Sequence, residues 1–181
     1  NGLGYTIRMK VLHQGGSIKV GHQQITVEGA DEATVFYTVD TEYSPVYPLY
    51  KGEKPRQTTE KIIKSAITKG YETVKHTHIS DYQTLYNRVK FTLSGDTASE
   101  KLPTDIRVKQ LQKGFTDDAS LKVLWFNLSR YLLISASRPG TLPSNLQGVW
   151  NTFEKAPWNG NFQSNINLQE MYWGCGPTQL P

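Results

Sequence analysis

The chain has 181 residues, and 37% hydrophobic with 20% charged residues is the composition of a globular protein, which excludes a disordered one. The net charge of +4 comes largely from Lys51, Lys54, Arg56, Lys61, Lys64, Lys69 and Lys75, scattered among Thr, Ile and Tyr as on a solvated helix face, not gathered into a nucleic-acid groove. No apolar run is long enough to span a bilayer, and Cys175, the single cysteine, excludes a disulfide framework or a cysteine-based zinc site within the chain.

The chain opens on Asn1 with no Met and closes on Pro181 just after an apolar aromatic segment, so both ends read as cuts through a longer protein. Residues 1–44 read as β-rich. Tyr5, Ile7, Met9 and Val11 alternate with Thr6, Arg8 and Lys10, the period of a strand. Gly15-Gly16 marks a turn. Ile18 and Val20, then Ile25 and Val27, keep the alternation around a tight connection at Gly21-His22-Gln23. Gly29-Ala30-Asp31 closes that run, and Ala33 to Val39 is a third. These runs predict a three-stranded antiparallel meander, too small to bury itself and therefore the end of a truncated β-sandwich.

Ser44-Pro45-Val46-Tyr47-Pro48 breaks the pattern. Thr58 or Thr59 is then expected to cap a helix through Ile62, Ile63, Ala66 and Ile67, ending near Gly70. Ser80-Asp81-Tyr82-Gln83 matches a capping box, which predicts a new helix carrying Tyr82, Leu85, Tyr86 and Val89. Phe91-Thr92-Leu93 reads as a short extended exit. His76 and His78 lie near Asp81 but lack a third ligand, so packing or capping is preferred to a metal. Thr104 or Asp105 is expected to cap a short helix through Val108 and Leu111. Asp117 opens the longest predicted helix, about residues 118–137, whose Leu121, Trp125, Phe126, Leu128, Tyr131 and Leu132 leave little polar surface. A helix apolar nearly all round is packed on several sides, so it is expected in a helical barrel or bundle with Trp125 in the core. The sequon Asn127-Leu128-Ser129 falls inside that helix and is set aside.

Chemistry concentrates after this helix. Ser137-Arg138-Pro139-Gly140-Thr141-Leu142-Pro143 and Asn145-Leu146-Gln147-Gly148-Val149-Trp150-Asn151 form a loop rich in amides and hydroxyls. Pro157-Trp158-Asn159-Gly160-Asn161 continues it. Amides pair with sugar hydroxyls in both directions, and indole faces cover the apolar face of a pyranose. Asn145, Gln147, Trp150 and Trp158 are therefore candidate sugar contacts, with simple loop anchoring as the rival for the tryptophans. Trp173 is expected to pack in the interior. Asn165 and Asn167 flank one apolar residue. In an extended stretch both would face one side; in a helix start one of them would serve as N-cap. Both readings stand.

The stretch from Ser137 to Asn151 resembles a long signature of glycoside hydrolase family 95, the inverting α-L-fucosidases. Asn165-Ile166-Asn167-Leu168-Gln169 with Tyr172-Trp173 resembles that family's catalytic Asn-x-Asn segment. Val27 to Asp31, His78 with Asp81-Tyr82, Leu85 and Arg88-Val89, and Leu102 to Asp105 agree in order, so the resemblance covers nearly the whole chain. It implies an α+β fold: the last strands of an antiparallel β-sandwich over residues 1–44, a helical linker over 45–115, and the first part of an α/α barrel over 116–181.

The activity it implies is hydrolysis of terminal α-L-fucose, or α-L-galactose, from an oligosaccharide or glycan with inversion. Inverting glycosidases generally set an acid at the leaving oxygen and a base for water on the opposite face. The resemblance implies a departure, with an Asn carbonyl taking the water proton, a nearby Asp polarising it, and a Glu as acid. Asn167 matches the water-activating Asn and Asn165 its partner. Gln163 stands where fucosidases have a His before the first Asn, which bears on the choice between fucose and L-galactose. Glu170-Met171-Tyr172-Trp173 replaces the Met-Asn-Tyr-Trp of many relatives. In the family the acid Glu and the supporting Asp lie downstream, so neither role is assigned here, and Glu170 takes no part. No cofactor is expected and no metal-ligating residue is assigned; the partners are a glycan and the remainder of the chain's own polypeptide, in a bacterial periplasmic or extracellular setting. The rival reading is a non-catalytic carbohydrate-binding or scaffold piece, with a helical solute-binding domain behind both.

Overall fold

In the computed structural model, which describes residues 2–95, 98–114 and 117–180, the fold is α+β. Strand β1 (Tyr5–Gln14) pairs antiparallel with β4 (Glu32–Thr41) in unbroken register from Tyr5↔Thr41 to Gln14↔Glu32. Between them β2 (Ser17–Val20) and β3 (Ile25–Glu28) form a second antiparallel pair, closed by Gly21 N–H donating to the Gln24 carbonyl at 2.8 Å. The expected three-stranded meander is thus corrected to one hairpin nested inside another, in two separate sheets. The cause is Gly15-Gly16, both at positive φ (66° and 63°), which turns the chain out of the outer ladder. A Cβ on Gly16 would collide with the Glu28 carbonyl oxygen.

Helix α1 (Pro55–Lys69) packs on the β1–β4 ladder. Arg8 donates to the Arg56 carbonyl and sits 3.6 Å from Glu60, so the face carrying Thr6, Arg8, Phe36 and Thr38 is the covered one. The opposite face holds Tyr5, Ile7, Met9, Val35, Tyr37 and Val39, each more than half exposed. The period-two apolar set therefore marks the open face. The expected cap at Thr58 or Thr59 is also corrected. Pro55 occupies the first turn, where a fixed φ and a missing N–H cost nothing. Thr59 lies a turn inside, fully buried, its hydroxyl donating back to the Pro55 carbonyl at 2.7 Å. Gly70 ends the helix as expected, at φ 77°.

Helix α2 (Tyr71–Tyr86) runs straight through Ser80, so the capping box there is no boundary. No Gly or Pro separates Tyr71 from Tyr86, and a cap signature cannot stop a helix already under way. The chain divides into two compact units between His78 and Ile79, within this helix. In the second unit α3 (Thr104–Gln112) follows Pro103, and α4 (Ala119–Ala136) is capped by Asp118, one residue later than expected, through Leu121 N–H at 2.8 Å. Arg107 of α3 grips both Asp118 oxygens at 2.8 Å. That bond, seconded by the Leu121 N–H and the Ser120 hydroxyl, outweighs burial and holds the Asp118 carboxyl well below the usual carboxylate range.

Arg130 of α4 is 3% exposed and meets no carboxylate among the described residues. Its guanidinium donates to the carbonyls of Leu85, Tyr86, Val89 and Thr178, and stands 5.3 Å from the Tyr86 ring centre. Two of these carbonyls, Leu85 and Tyr86, belong to the last turn of α2, where a cation is favoured. Among the described residues, Leu121, Ile134 and Leu180 are the buried apolar residues of this unit. Trp125 and Trp173, expected inside, are 66% and 75% exposed. The reason for Trp125 is that α4 is covered on one side only; Leu124, Trp125, Leu128, Tyr131 and Leu132 form an open apolar face. Trp173 follows a six-residue helix, α5 (Asn167–Tyr172), and no described element covers its ring.

Candidate active site

The loop after α4 is built on its own amides. Asn145 Oδ1 accepts from the backbone N–H groups of Gln147 and Val149 at 3.0 and 3.2 Å, an Asx turn that folds residues 145–149 over the carboxamide. Gln147 Nε2 donates to the Pro157 carbonyl at 3.1 Å, and Leu146 N–H to the Asn161 carbonyl at the same distance, so the two arms of the loop are stitched together. Gly160, at φ 62°, lets the second arm approach: a Cβ there would lie 3.5 Å from Asn145 Nδ2 and 3.6 Å from Gln147 Oε1. Asn145, Gln147 and the Pro157–Gly160 turn that carries Trp158 thus form one patch. Gln147 Oε1 is buried and has no partner among the described residues.

The backbone here is tightly bent. Val149, Trp158, Asn159 and Gln163 all sit at positive φ, from 43° to 64°. For β-branched Val149 this is a steric outlier, held by the Asn145 bond. Trp150 is half exposed and lies against Tyr131, with ring centres 6.5 Å apart and planes at 29°. Tyr131 meets Tyr82 edge-on at 5.9 Å, and Tyr82 stacks on Tyr86 at 5.3 Å. One face of the indole is therefore pinned by an aromatic row. Trp158 is 73% exposed. Gln163 donates to Asn161 Oδ1 at 2.8 Å.

Asn165 lies in a turn and Asn167 is the first residue of α5, so the segment is not extended and strand alternation does not apply to it. The helix start is real, yet Ile166 holds the N-cap position and no side chain caps it. Asn165 is exposed and Asn167 half-buried; among the described residues neither carboxamide has a hydrogen-bond partner. A cavity of about 330 Å³ is lined by Ser144, Gln147, Gly148, Trp150 and Met171 among others, and neither Asn165 nor Asn167 is in its lining. A larger one, about 540 Å³, is lined by Leu133, Ser137, Arg138, Tyr172 and Cys175 among others, and by none of the seven candidates named from the sequence.

Residues 70–181, which hold this loop and α5, match the glycosyl hydrolase family 95 catalytic domain. The chain belongs to that family. It is 36% identical over 178 residues to "Alpha-L-fucosidase 2" of Arabidopsis thaliana, covering 96% of this chain and 21% of that protein. It is 35% identical over 160 residues to "Probable alpha-fucosidase A" of Aspergillus niger, covering 84% and 20% respectively. A protein of the same name from Aspergillus oryzae is 38% identical over 146 residues, 79% of this chain and 19% of its own length. The chain spans about a fifth of the length of the curated relatives it matches.

Within this family 95 segment, three residues without a role in the sequence reading hold the site together. Arg138 donates to both oxygens of Asp81 at 2.7 and 2.6 Å, tying the loop to α2. Tyr172 of α5 donates its hydroxyl to Ser137 Oγ and accepts from Ser144 N–H, both at 2.7 Å. Tyr131 backs Trp150. Asp81, Arg138 and Tyr172 all fall within the motifs themselves, but residue type alone does not separate a hydrogen-bonding phenol from a packed one.

Proposed function

We propose that the whole protein carrying this segment is an inverting exo-glycosidase that removes terminal α-L-fucose, or α-L-galactose, from oligosaccharides or glycans. The observation that carries this is membership of family 95 across residues 70–181, the stretch that contains both the amide loop and the Asn-x-Asn segment. The relatives' names say fucosidase, which supports fucose as the first sugar to test. On this reading residues 1–44 close a β-sandwich, 45–115 are a linker and 116–181 begin an α/α barrel.

Asn167 receives the proton of the attacking water through its carboxamide oxygen, with Asn165 beside it. An amide is a very weak base, so this works only next to a carboxylate that stabilises the transition state. That Asp, and the Glu that protonates the leaving oxygen, belong to the rest of the polypeptide. Two further points support the assignment: Asn167 is half-buried at a helix start, and its carboxamide is not consumed by local bonds among the described residues. Trp150, pinned on one face, offers the other to a sugar ring. Asn145 and Gln147 shape the loop, and on this reading Gln163 contacts the sugar C5 substituent and bears on the choice between fucose and L-galactose.

The test is hydrolysis of 2'-fucosyllactose, an aryl α-L-fucoside and the matching α-L-galactoside by the whole protein, with Asn167→Ala alongside. The parent should turn over at least one of the three and invert the anomeric centre, and Asn167→Ala should lose at least about 100-fold in kcat. Full activity in the variant removes Asn167 from the mechanism. The 181-residue chain alone should show no turnover, since on this reading the acid lies elsewhere in the polypeptide.

A further inference from the structure

We infer that Tyr172 is a positioning residue that fixes Asn167 relative to the amide loop, an inference that rests on the proposed role of Asn167. Helix α5 has six residues, too few to hold itself in water, and its N-terminus has no side-chain cap. Its position must come from what its side chains touch. Gln169 bonds only locally, to the Ser164 carbonyl. Apart from that, the side-chain hydrogen bonds α5 makes among the described residues are the pair at the Tyr172 hydroxyl.

That hydroxyl uses both its donor and an acceptor lone pair, and its partners are far off in sequence. It donates to Ser137, the residue that caps the C-terminus of α4, and accepts from the backbone of Ser144, which is fully buried. Ser137 and Ser144 are the two ends of the Arg-Pro-Gly turn. The turn is closed inside by Thr141 on Arg138, and fastened outside by Arg138 on Asp81. Met171, next in α5, brings its methyl group over Gly148 of the same loop. The phenol thus locks the helix that opens with Asn167 to the end of α4 and to the loop carrying Asn145, Gln147 and Trp150. Asn167 and Tyr172 are the two ends of that one short helix, so fixing the second fixes the first.

Catalysis by a weak amide base depends on placement: a shift of about 1 Å at a reacting group costs on the order of 100-fold in rate. Tyr172→Phe keeps the ring and deletes both bonds. Ser137→Ala deletes one of them. Ser144→Ala deletes neither, because the donor is the backbone N–H, and it removes a buried hydroxyl oxygen without a partner among the described residues.

The experiment uses the whole protein with an aryl α-L-fucoside, measuring kcat, KM and thermal midpoint for these three variants, for the double variant Ser137→Ala/Tyr172→Phe, and for Asn167→Ala. The expected result is a loss of about 10- to 100-fold in kcat for Tyr172→Phe with KM within about threefold of the parent. Ser137→Ala should lose less, and the double variant no more than Tyr172→Phe alone, as one shared bond requires. Ser144→Ala should lose less than Tyr172→Phe, because it leaves both Tyr172 bonds in place. Parent kcat in Tyr172→Phe, or a change confined to KM, overturns the inference while leaving Asn167 in place if Asn167→Ala is dead. Full activity in Asn167→Ala takes down both. If Tyr172→Phe does not fold, Ser137→Ala decides: a parent kcat there overturns the inference, and a loss in kcat at an unchanged thermal midpoint supports it.

Discussion

Two buried charges show how single residues set the stability of the second unit. Arg107 and Asp118 have side chains 8% and 1% exposed, and each satisfies the other. Removing one partner of such a pair strands the other charge, so Asp118→Ala should cost about 3–5 kcal/mol, read as a lowered midpoint in thermal or urea unfolding. The pH dependence follows from the direction of the shift. The folded carboxyl sits below its unfolded value of about 3.9, so its stabilisation is complete above that pH. It is lost as pH falls from about 4 through the folded pKa. Asp118→Asn, which retains a capping oxygen, should therefore be less stable than the parent at pH 7, and the gap should narrow in acid. A gap that widens below pH 4 would contradict the pairing. Arg130 poses the other case, a cation held by carbonyls and the Tyr86 ring with no carboxylate among the described residues. Its planar fork reaches Leu85, Tyr86, Val89 and Thr178 together. A lysine carries the charge on a single point and cannot span them. Arg130→Lys should thus lower the midpoint and speed amide exchange of residues 174–180.

At the level of elements, what is legible in the sequence and what is hidden divide along a physical line. Strand alternation, the stop at Gly70, the long helix after Asp117 and the amide loop are all local matters, set by period and turn residues, and they are readable, although the cap falls at Asp118 and not at Asp117. The meander fails at Gly15-Gly16 because a glycine pair signals a turn without saying which strand the chain returns to. The Ser80 box fails because a good cap sequence has no force once a helix runs through it, and the Pro55 start wins over Thr58 because proline suits a first turn. In the candidate site the motif residues are visible from their resemblance, while the phenol that ties α5 to the loop is not, since its partners lie 28 and 35 residues away. The nested hairpin gives a sharp test of its own. Gly16 stands at φ 63° with the Glu28 carbonyl oxygen where a Cβ would go, so Gly16→Ala forces the turn to open. Amide exchange in Ser17–Val20 and Ile25–Glu28 should rise by at least about tenfold, while β1–β4 amides away from the turn change little.

On the scale of the whole molecule, the apolar surface is the fact that demands a partner. The β1–β4 ladder turns Tyr5, Ile7, Met9, Tyr37 and Val39 outward, and α4 turns Leu124, Trp125, Leu128, Tyr131 and Leu132 outward. Scattered exposed leucines need no explanation, but a continuous face on a strand pair and another along an 18-residue helix do. The chain spans only about a fifth of its relatives' length, so in proteins of that size there is ample chain to cover both. Two opposite outcomes then follow from one pair of substitutions. Trp125→Glu with Leu128→Lys puts charges on the α4 face. In the isolated 181-residue chain these substitutions should reduce self-association and the binding of an apolar dye, because the face is wet there. In the whole protein the same pair should lower the thermal midpoint, because a buried, unpaired charge is costly wherever a neighbour packs on that face. Light scattering on the short chain and a thermal scan on the long one make the comparison. If the double variant leaves the whole protein's midpoint unchanged, the α4 face is solvent-exposed there too, and α4 does not begin a closed helical barrel.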